Sequence, residues 1–324
     1  MRVLVVGGAG YIGSHTVYEL IRAKHEVIVF DNLSTGHESF VPKGVSFYQG
    51  DITKKNELND VFCKEKIDAV MHFAAKIVVP ESVKEPLAYY YNNVEGVRVL
   101  LETMKDHGVK RFIFSSTAAV YGEANGVCHE DDVTQPINPY GETKLAVEKM
   151  TKWVAEACDM HYVIFRYFNV AGADKTLEIG YKVDKPTHLI PIANEAALGI
   201  RDHLDIYGTD YETRDGTCIR DYVHVTDLAQ AHVLGIEYLN QGGQSMTMNL
   251  GSNQGFSIME VVKTLESITP VKYQFANRRP GDPAILIASN DVAKKVLGWS
   301  PKLSLADMIR SDLEYHRKSL TNNK

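Results

Sequence analysis

The chain has few cysteines, no long apolar run, no excess of positive charge and no low-complexity tract. Of its 324 residues only four are cysteines, Cys63, Cys128, Cys158 and Cys218. They are far apart and form neither a CxxC pair nor any other compact metal-ligand spacing. Reduced structural thiols and no metal are expected. No segment approaches the ~18 apolar residues of a membrane span, and the opening Met1-Arg2-Val3-Leu4-Val5-Val6-Gly7 is too short an apolar run for a signal peptide. The expected location is the cytoplasm. Lys and Arg (35) are outnumbered by Asp and Glu (41), and the basic residues are scattered, which argues against nucleic acid and anionic membrane as partners. A small soluble ligand fits this charge pattern better.

What the chain does have is 44% hydrophobic residues and enough length for one nucleotide-binding domain with a smaller one appended. Short β-branched or aromatic runs recur at Val3-Val6, Val27-Phe30, Val45-Tyr48, Ala69-Phe73, Arg111-Ser115 and Tyr162-Arg166, separated by segments of helical length. That alternation predicts an α/β fold with a doubly wound parallel sheet of the Rossmann type. After about residue 170 the rhythm breaks, with a polar stretch from Asp174 to Thr187 and turns at Gly242-Gly243 and Pro280-Gly281-Asp282-Pro283. Residues 1–170 are therefore expected to bind a dinucleotide, and 171–324 to form mainly a smaller C-terminal substrate-binding domain. A helix expected over Val223 to Leu239 would return to the sheet, with residues of about 223–250 belonging to the first domain.

The first strand runs into Gly7-Gly8-Ala9-Gly10-Tyr11-Ile12-Gly13, and a helix with apolar residues at Ile12, Val17, Leu20 and Ile21 follows. Glycines between a strand and a helix allow a tight turn and let backbone amides approach a pyrophosphate, whose charge the helix N-terminus favours. Asp31 follows the second strand, where a carboxylate accepts hydrogen bonds from both hydroxyls of an adenosine ribose. The same carboxylate repels a 2′-phosphate, and Asn32, Leu33 and Ser34 supply no compensating cation, so NAD is expected rather than NADP. Asp51-Ile52 ends the third strand where a side chain can reach the adenine edge; a helix cap is the competing reading for Asp51.

Tyr140-Gly141-Glu142-Thr143-Lys144 opens a helix expected over Tyr140 to Cys158, and the i,i+4 spacing puts phenol and ammonium on one face. A free phenol has a pKa of about 10, so a tyrosine acting as base near neutrality needs positive charge beside it. The strand Arg111-Phe112-Ile113-Phe114 ends in Ser115-Ser116-Thr117, at the carboxyl edge where ligands of such sheets bind. Either element alone is an ordinary surface feature. Together and in this order, they resemble the extended short-chain dehydrogenase/reductase family.

Further blocks extend the resemblance over essentially the whole chain and direct it to that family's nucleotide-sugar 4-epimerases. They are Phe114-Ser115-Ser116-Thr117-Ala118-Ala119-Val120-Tyr121-Gly122, Asn138-Pro139-Tyr140-Gly141, Arg166-Tyr167-Phe168-Asn169, Asp215-Gly216-Thr217, Arg220-Asp221-Tyr222-Val223-His224-Val225 and Arg279-Pro280-Gly281-Asp282. The resemblance implies NAD contacts at Gly7, Gly10, Tyr11, Ile12, Gly13, Asp31, Asn32, Leu33, Ser34, Thr35, Gly36, Asp51, Ile52, Phe73, Ala74, Ala75, Lys76, Ile77, Asn92, Ser115, Tyr140, Lys144 and Phe168. It implies that Thr117, Tyr140, Asn169, His188, Leu189, Asp205, Ile206, Tyr207, Arg220, Arg279, Asp282 and Leu286 hold a UDP-hexose. Guanidinium forks at Arg220 and Arg279 suit phosphate oxygens, and Asp282 suits ribose hydroxyls.

The implied reaction is an isomerisation linking UDP-glucose and UDP-galactose, in galactose metabolism. Tyr140, directly or through Thr117, takes the proton of the 4-hydroxyl while C4 is oxidised, the 4-keto sugar turns over, and reduction from its other face inverts C4. Catalysis would rest on Tyr140, Lys144 and Thr117, with Lys144 keeping the phenol acidic and NAD staying bound. A homodimer through helices around Lys84 to Lys105 and Tyr140 to Cys158 is also implied. Thr117 stands where serine is common and His188 where asparagine is common, and Lys76 is expected to turn to solvent. Leu286 occupies the position beside the C2 substituent, and its intermediate size leaves N-acetylated UDP-sugars open as second substrates. The competing readings are a UDP-glucuronate epimerase or decarboxylase, and a non-catalytic NAD-sensing protein that needs no intact Tyr140, Lys144 and Thr117. Ala118-Ala119 after Thr117 disfavours a 4,6-dehydratase, which needs an acid there.

Overall fold

The computed structural model describes residues 1–124, 126–183, 185–279 and 282–322. Pro280 and Gly281, in the middle of one expected turn, lie outside the described residues. The chain divides into two compact units, one built from Met1–Gly122, Asp131–Tyr167 and Ala229–Met248, the other from Glu123–Glu130, Phe168–Leu228 and Asn249–Lys324.

The first unit carries a seven-stranded sheet in the order Met246–Leu250, His161–Tyr167, Arg111–Ser115, Ala69–His72, Arg2–Val6, Glu26–Asp31, Ser46–Gln49. The pairings from His161–Tyr167 across to Ser46–Gln49 are all parallel. The chain order reverses direction beside Arg2–Val6, whose carboxyl end is therefore the switch point where such sheets bind ligands. Val3, Leu4, Val5, Val6, Ile28, Val29 and Phe30 are all buried, because helices cover both faces of the sheet. The doubly wound fold expected from the sequence is what forms.

Two expectations differ in detail. Lys84 to Lys105 is not one helix: Val79–Lys84 and Pro86–Tyr89 are separate short helices, Tyr90–Glu95 is π-helical, and Gly96–Asp106 is α-helical. Pro86 lacks an amide hydrogen and starts a helix afresh, which accounts for the first break. The helix expected from Val223 begins only at Val225. Tyr222–His224 is instead a strand, parallel to Asn169–Ala171.

The second unit is made of short pieces. Phe256–Ser257, Ile219–Arg220, Ile285–Ala288 and Gly126–Cys128 form one sheet, and Leu204–Tyr207 pairs in parallel with Tyr273–Ala276. Ile190, Ala193, Ile206, Val261, Leu265 and Ile309 pack into its core. The polar stretch after Asp174 is irregular, closed by an Asx turn in which Asp174 accepts from the Thr176 amide at 2.9 Å. None of the four cysteines is in a disulfide. Among the described residues no helix is long and apolar enough to cross a membrane, and no cluster of His, Cys, Asp or Glu could hold a metal ion.

Candidate active site

The glycine loop sits at the switch point. Gly7 has φ +83°, and a Cβ there would meet the Ala74 amide nitrogen at 2.5 Å; one on Gly13 would meet the Gly7 carbonyl oxygen at 2.1 Å. Side chains are therefore excluded from this surface, and what it presents is backbone at the N-terminus of the Tyr11–Arg22 helix. Asp31, 7% exposed, accepts from the Ala9 amide at 2.9 Å and the Leu33 amide at 2.8 Å. Burial raises its carboxyl above the ordinary value against those two bonds. Each carboxylate oxygen keeps a lone pair for a ribose hydroxyl. A cradle that only glycine permits, with a carboxylate at the end of the next strand, fits a dinucleotide.

Phe73 and Ala74 both donate to the Val6 carbonyl oxygen, at 2.7 and 3.2 Å, which folds the 73–77 turn against the glycine loop. The Lys76 side chain is 41% exposed, in line with its expected turn to solvent, with Nζ 3.2 Å from Glu81 and over the Tyr89 ring. Asp51 accepts from the Thr53 amide and hydroxyl at 2.8 and 2.7 Å, a local turn ahead of the Lys55–Lys64 helix, whose N-cap is Lys54 and not Asp51. Asn92 donates to Asn93 at 2.9 Å, and Asn93 is the buried one of the two. Its side chain accepts from the Lys76 amide and donates to the Lys76 carbonyl and the Thr143 hydroxyl. It thus ties the turn to the helix that carries Tyr140.

That helix, Pro139–Cys158, starts with Asn138 as cap, accepting from the Gly141 amide at 2.9 Å, and with proline in its first turn. Tyr140 lies on its first turn. The Thr117 hydroxyl hydrogen-bonds to the phenol and works against the burial that otherwise raises it. Thr117 also accepts from the Ala119 amide, capping the Ala118–Tyr121 turn. Lys144 is 4% exposed, and its Nζ donates to the Ser115 carbonyl oxygen at 2.8 Å and stands 5.0 Å from the centre of the Phe114 ring. Burial pulls it down to about 7. The hydrogen bond that favours the phenolate thus comes from Thr117, whereas Lys144 is held against the strand end.

Several participants are not singled out by their sequence pattern. Ser115 Oγ lies 3.2 Å from His232 Nε2, whose ring is packed by Phe73 and Phe165. Ser116 donates to Glu148, which is itself paired with Arg166 in a fully buried ion pair. His72, 1% exposed, stacks on Phe114 with neither ring nitrogen hydrogen-bonded, and burial pushes it down to about 3. It is a neutral imidazole in the core.

The expected sugar-nucleotide residues belong to the second unit, apart from Thr117 and Tyr140. Arg220 lies 3.1 Å from Asp282 and donates to the Ile219 carbonyl oxygen, while Leu286 pairs with Arg220 in register. The Arg279 guanidinium stands 4.0 Å over the Tyr207 ring. Asp221, next to Arg220, accepts from the Ser252 and Ala288 amides and fixes that strand end from below. Asn169 donates to the Asp221 carbonyl oxygen. His188 occupies the N-cap position of the Leu189–Ala197 helix without a side-chain capping bond, edge-on to Tyr181, and burial lowers its pKa. Asp205 accepts from the Gln274 side-chain amide at 2.8 Å, and Ile206, next on the same strand, is fully buried.

Residues 3–251 match the NAD dependent epimerase/dehydratase family. The chain belongs to that family. The UDP-glucose 4-epimerase of Halalkalibacterium halodurans is 50% identical over 98% of this chain and 96% of its own length. A UDP-glucose 4-epimerase crystal structure superposes with a TM-score of 0.97 at 48% identity, covering 99% of this chain and 98% of its own. The Brucella ovis UDP-glucose 4-epimerase in complex with NAD gives 0.94 at 45% identity, covering 97% and 98%. Membership in the family accords with the glycine cradle, Asp31 and the Tyr140–Lys144 pair occurring in one unit.

Proposed function

We propose that this chain is an NAD-dependent isomerase that interconverts UDP-galactose and UDP-glucose through a 4-keto sugar. The observation that carries the reading is buried Lys144 bonded to the Ser115 carbonyl one helical turn after Tyr140, at the carboxyl end of a strand in the unit that holds the glycine cradle. The near-full-length likeness to UDP-glucose 4-epimerases supports the choice of substrate.

In this reading residues 1–170 with the 223–250 return hold the dinucleotide: the Gly7–Gly13 backbone takes the pyrophosphate, Asp31 the adenosine ribose, and Lys144 the nicotinamide ribose. Residues 171–324 mainly hold the nucleotide sugar. NAD, when bound, accepts and returns the hydrogen and electron pair of C4 and adds positive charge near the phenol. Tyr140 Oη takes the proton of the 4-hydroxyl, directly or through Thr117 Oγ1, and gives it back after the sugar has turned. Arg220 and Arg279 bind the diphosphate during that turn, and Asp282 passes from Arg220 to the uridine ribose. His188, neutral, donates to a phosphate oxygen.

The exposed apolar side chains Val83, Leu87 and Tyr91 of one stretch and Trp153 of the neighbouring helix support a homodimer through this face. Trp153 is 72% exposed and Leu87 82%, more than a lone chain in water favours for such large groups. Sedimentation equilibrium of Trp153→Glu against the parent checks it, a dimer for the parent and a monomer for the variant being expected.

Incubating the purified protein with UDP-galactose and no added NAD tests the reaction: UDP-glucose should appear. No product even with NAD supplied would sink the reading. The same assay with UDP-N-acetylgalactosamine decides whether Leu286 admits an N-acetylated sugar.

A further inference from the structure

The Pro139–Cys158 helix carries a third charged group in line with the first two. Tyr140, Lys144 and Glu148 are spaced i, i+4, i+8 and share one face of the helix. Glu148 is 1% exposed. Arg166 grips it from the His161–Tyr167 strand with Nη2 at 2.6 Å from Oε2 and Nε at 3.0 Å from Oε1. Ser116, beside Thr117, donates to the same Oε1, and Arg166 also donates to the Tyr121 hydroxyl at 3.0 Å, on the turn that Thr117 caps. Three of the pieces that carry or flank the proposed chemistry, the helix, the strand end and the capped turn, thus converge on one carboxylate.

A buried ion pair is a poor source of stability. Replacing such a pair by packed apolar side chains is often neutral or stabilising, because two charges have lost their water. A pair retained one helical turn behind Lys144 therefore calls for a role at Lys144. We infer that Glu148 is a positioning residue: its carboxylate is the buried counter-charge one helical turn behind Lys144 that favours the ammonium form aimed at the Ser115 carbonyl, with Arg166, Ser116 and Tyr121 fixing where that charge stands. This rests on the reading of Lys144 as a ligand of the dinucleotide.

The groups around Lys144 agree. From the Arg111–Ser115 strand it meets the Ser115 carbonyl and the face of Phe114, and from Ala69–His72 it feels His72, which is neutral. On its own helix are Tyr140 and Glu148, and the strand His161–Tyr167 brings Arg166, whose positive charge is bonded to Glu148. Asn93 and Thr143 face one another without charge, and Glu81 on the Val79–Lys84 helix is engaged by Lys76. Glu148 is the group whose negative charge raises Lys144 against burial, and burial still leaves the lysine at about 7. Without that carboxylate burial would act on the amine unopposed and pull it lower still.

Glu148→Gln by itself leaves a guanidinium buried without its partner and can fail to fold, so the test uses Glu148→Gln with Arg166→Met, which removes both charges, and Glu148→Asp, which keeps a charge on a shorter arm. In protein labelled with 13Cε-lysine, the Lys144 resonance, assigned by its loss in Lys144→Met, is titrated alongside the pH profile of kcat. The double variant should hold its melting temperature near the parent's, while the Lys144 midpoint falls by about one unit or more and the alkaline limb of kcat falls with it. KM for UDP-galactose should change little. Glu148→Asp should lie between parent and double variant. An unchanged Lys144 midpoint in the double variant, or in Glu148→Asp should the double variant not fold, would overturn the inference. A parent without turnover would instead overturn the proposed reaction and leave the lysine titration to decide on Glu148.

Discussion

The two units of this chain would meet their proposed ligands with surfaces built in opposite ways. In the first, the Gly7–Gly13 loop offers backbone amides on a surface where an added methyl would meet Ala74 or Gly7 itself, so the geometry is set by the absence of side chains. In the second, Arg220, Asp282, Arg279 and Tyr207 are long side chains that satisfy one another. A backbone cradle needs no rearrangement to receive a pyrophosphate. A self-paired cluster must exchange Asp282 for a phosphate at Arg220, which costs part of the gain in binding but gives selectivity.

That contrast can be broken at four points. The largest effect is expected at Tyr140→Phe, which removes the proton carrier and neither cradle nor cluster: kcat should fall by roughly 10²–10⁴-fold. Bound dinucleotide and UDP affinity should stay near the parent's, as absorbance of released cofactor and calorimetry would show. Loss of binding together with turnover would mean that Tyr140 is structural.

Gly13→Ala places a Cβ 2.1 Å from the Gly7 carbonyl oxygen, and the backbone has to move. The protein should purify without dinucleotide and be destabilised by about 1–3 kcal/mol in denaturant titration. Retention of a full complement of cofactor would show that the cradle is softer than described.

Arg220→Met tests the other surface. It removes a charge-assisted contact of about 1.5–3 kcal/mol, so the Kd for UDP should rise roughly ten- to a hundredfold, with dinucleotide content unchanged. A change in dinucleotide content would show that the two surfaces do not act separately.

The smallest effect concerns Asp312, fully buried in the second unit, where it accepts from Asn194 at 2.7 Å while its Oδ1 has no partner. Burial pushes its carboxyl up to about 7 from 3.8. The folded state thus holds a proton that the unfolded chain releases, and this group's contribution to stability falls as pH rises from about 4 to about 7. Asp312→Asn should flatten Tm against pH over that window and raise it by a few degrees at pH 8. An unchanged pH dependence would place the titrating group elsewhere.

The same contrast explains what could be read in the amino-acid sequence. Strand cores such as Val27-Ile28-Val29-Phe30, the glycine loop and the Asn138-Pro139 helix start are local patterns with local causes, and they appear where expected to within a residue or two. Glu148 is different. A glutamate inside a helix is usually solvated, and only the strand bearing Arg166, 18 positions later, makes it a buried ion pair. Asn93 and His232 were silent for the same reason: their partners, Thr143 and Ser115, are 50 and 117 positions away. Asp51 is the converse, a local turn in which the Thr53 amide and hydroxyl both bond one carboxylate oxygen two positions away. The stretch from Lys84 to Lys105 carried an apolar stripe that fits a continuous helix, and its π-helical segment leaves no mark in that stripe.

The central claim, that C4 is oxidised and reduced again without leaving the protein, is tested most directly with UDP-galactose carrying deuterium at C4, converted in ordinary water and followed by NMR. Deuterium should remain at C4 of the UDP-glucose formed, because the hydrogen is held by a bound cofactor while Tyr140 handles only the hydroxyl proton. Replacement of that deuterium by solvent hydrogen would contradict it, since the inversion would then proceed by removal of the C4 hydrogen as a proton.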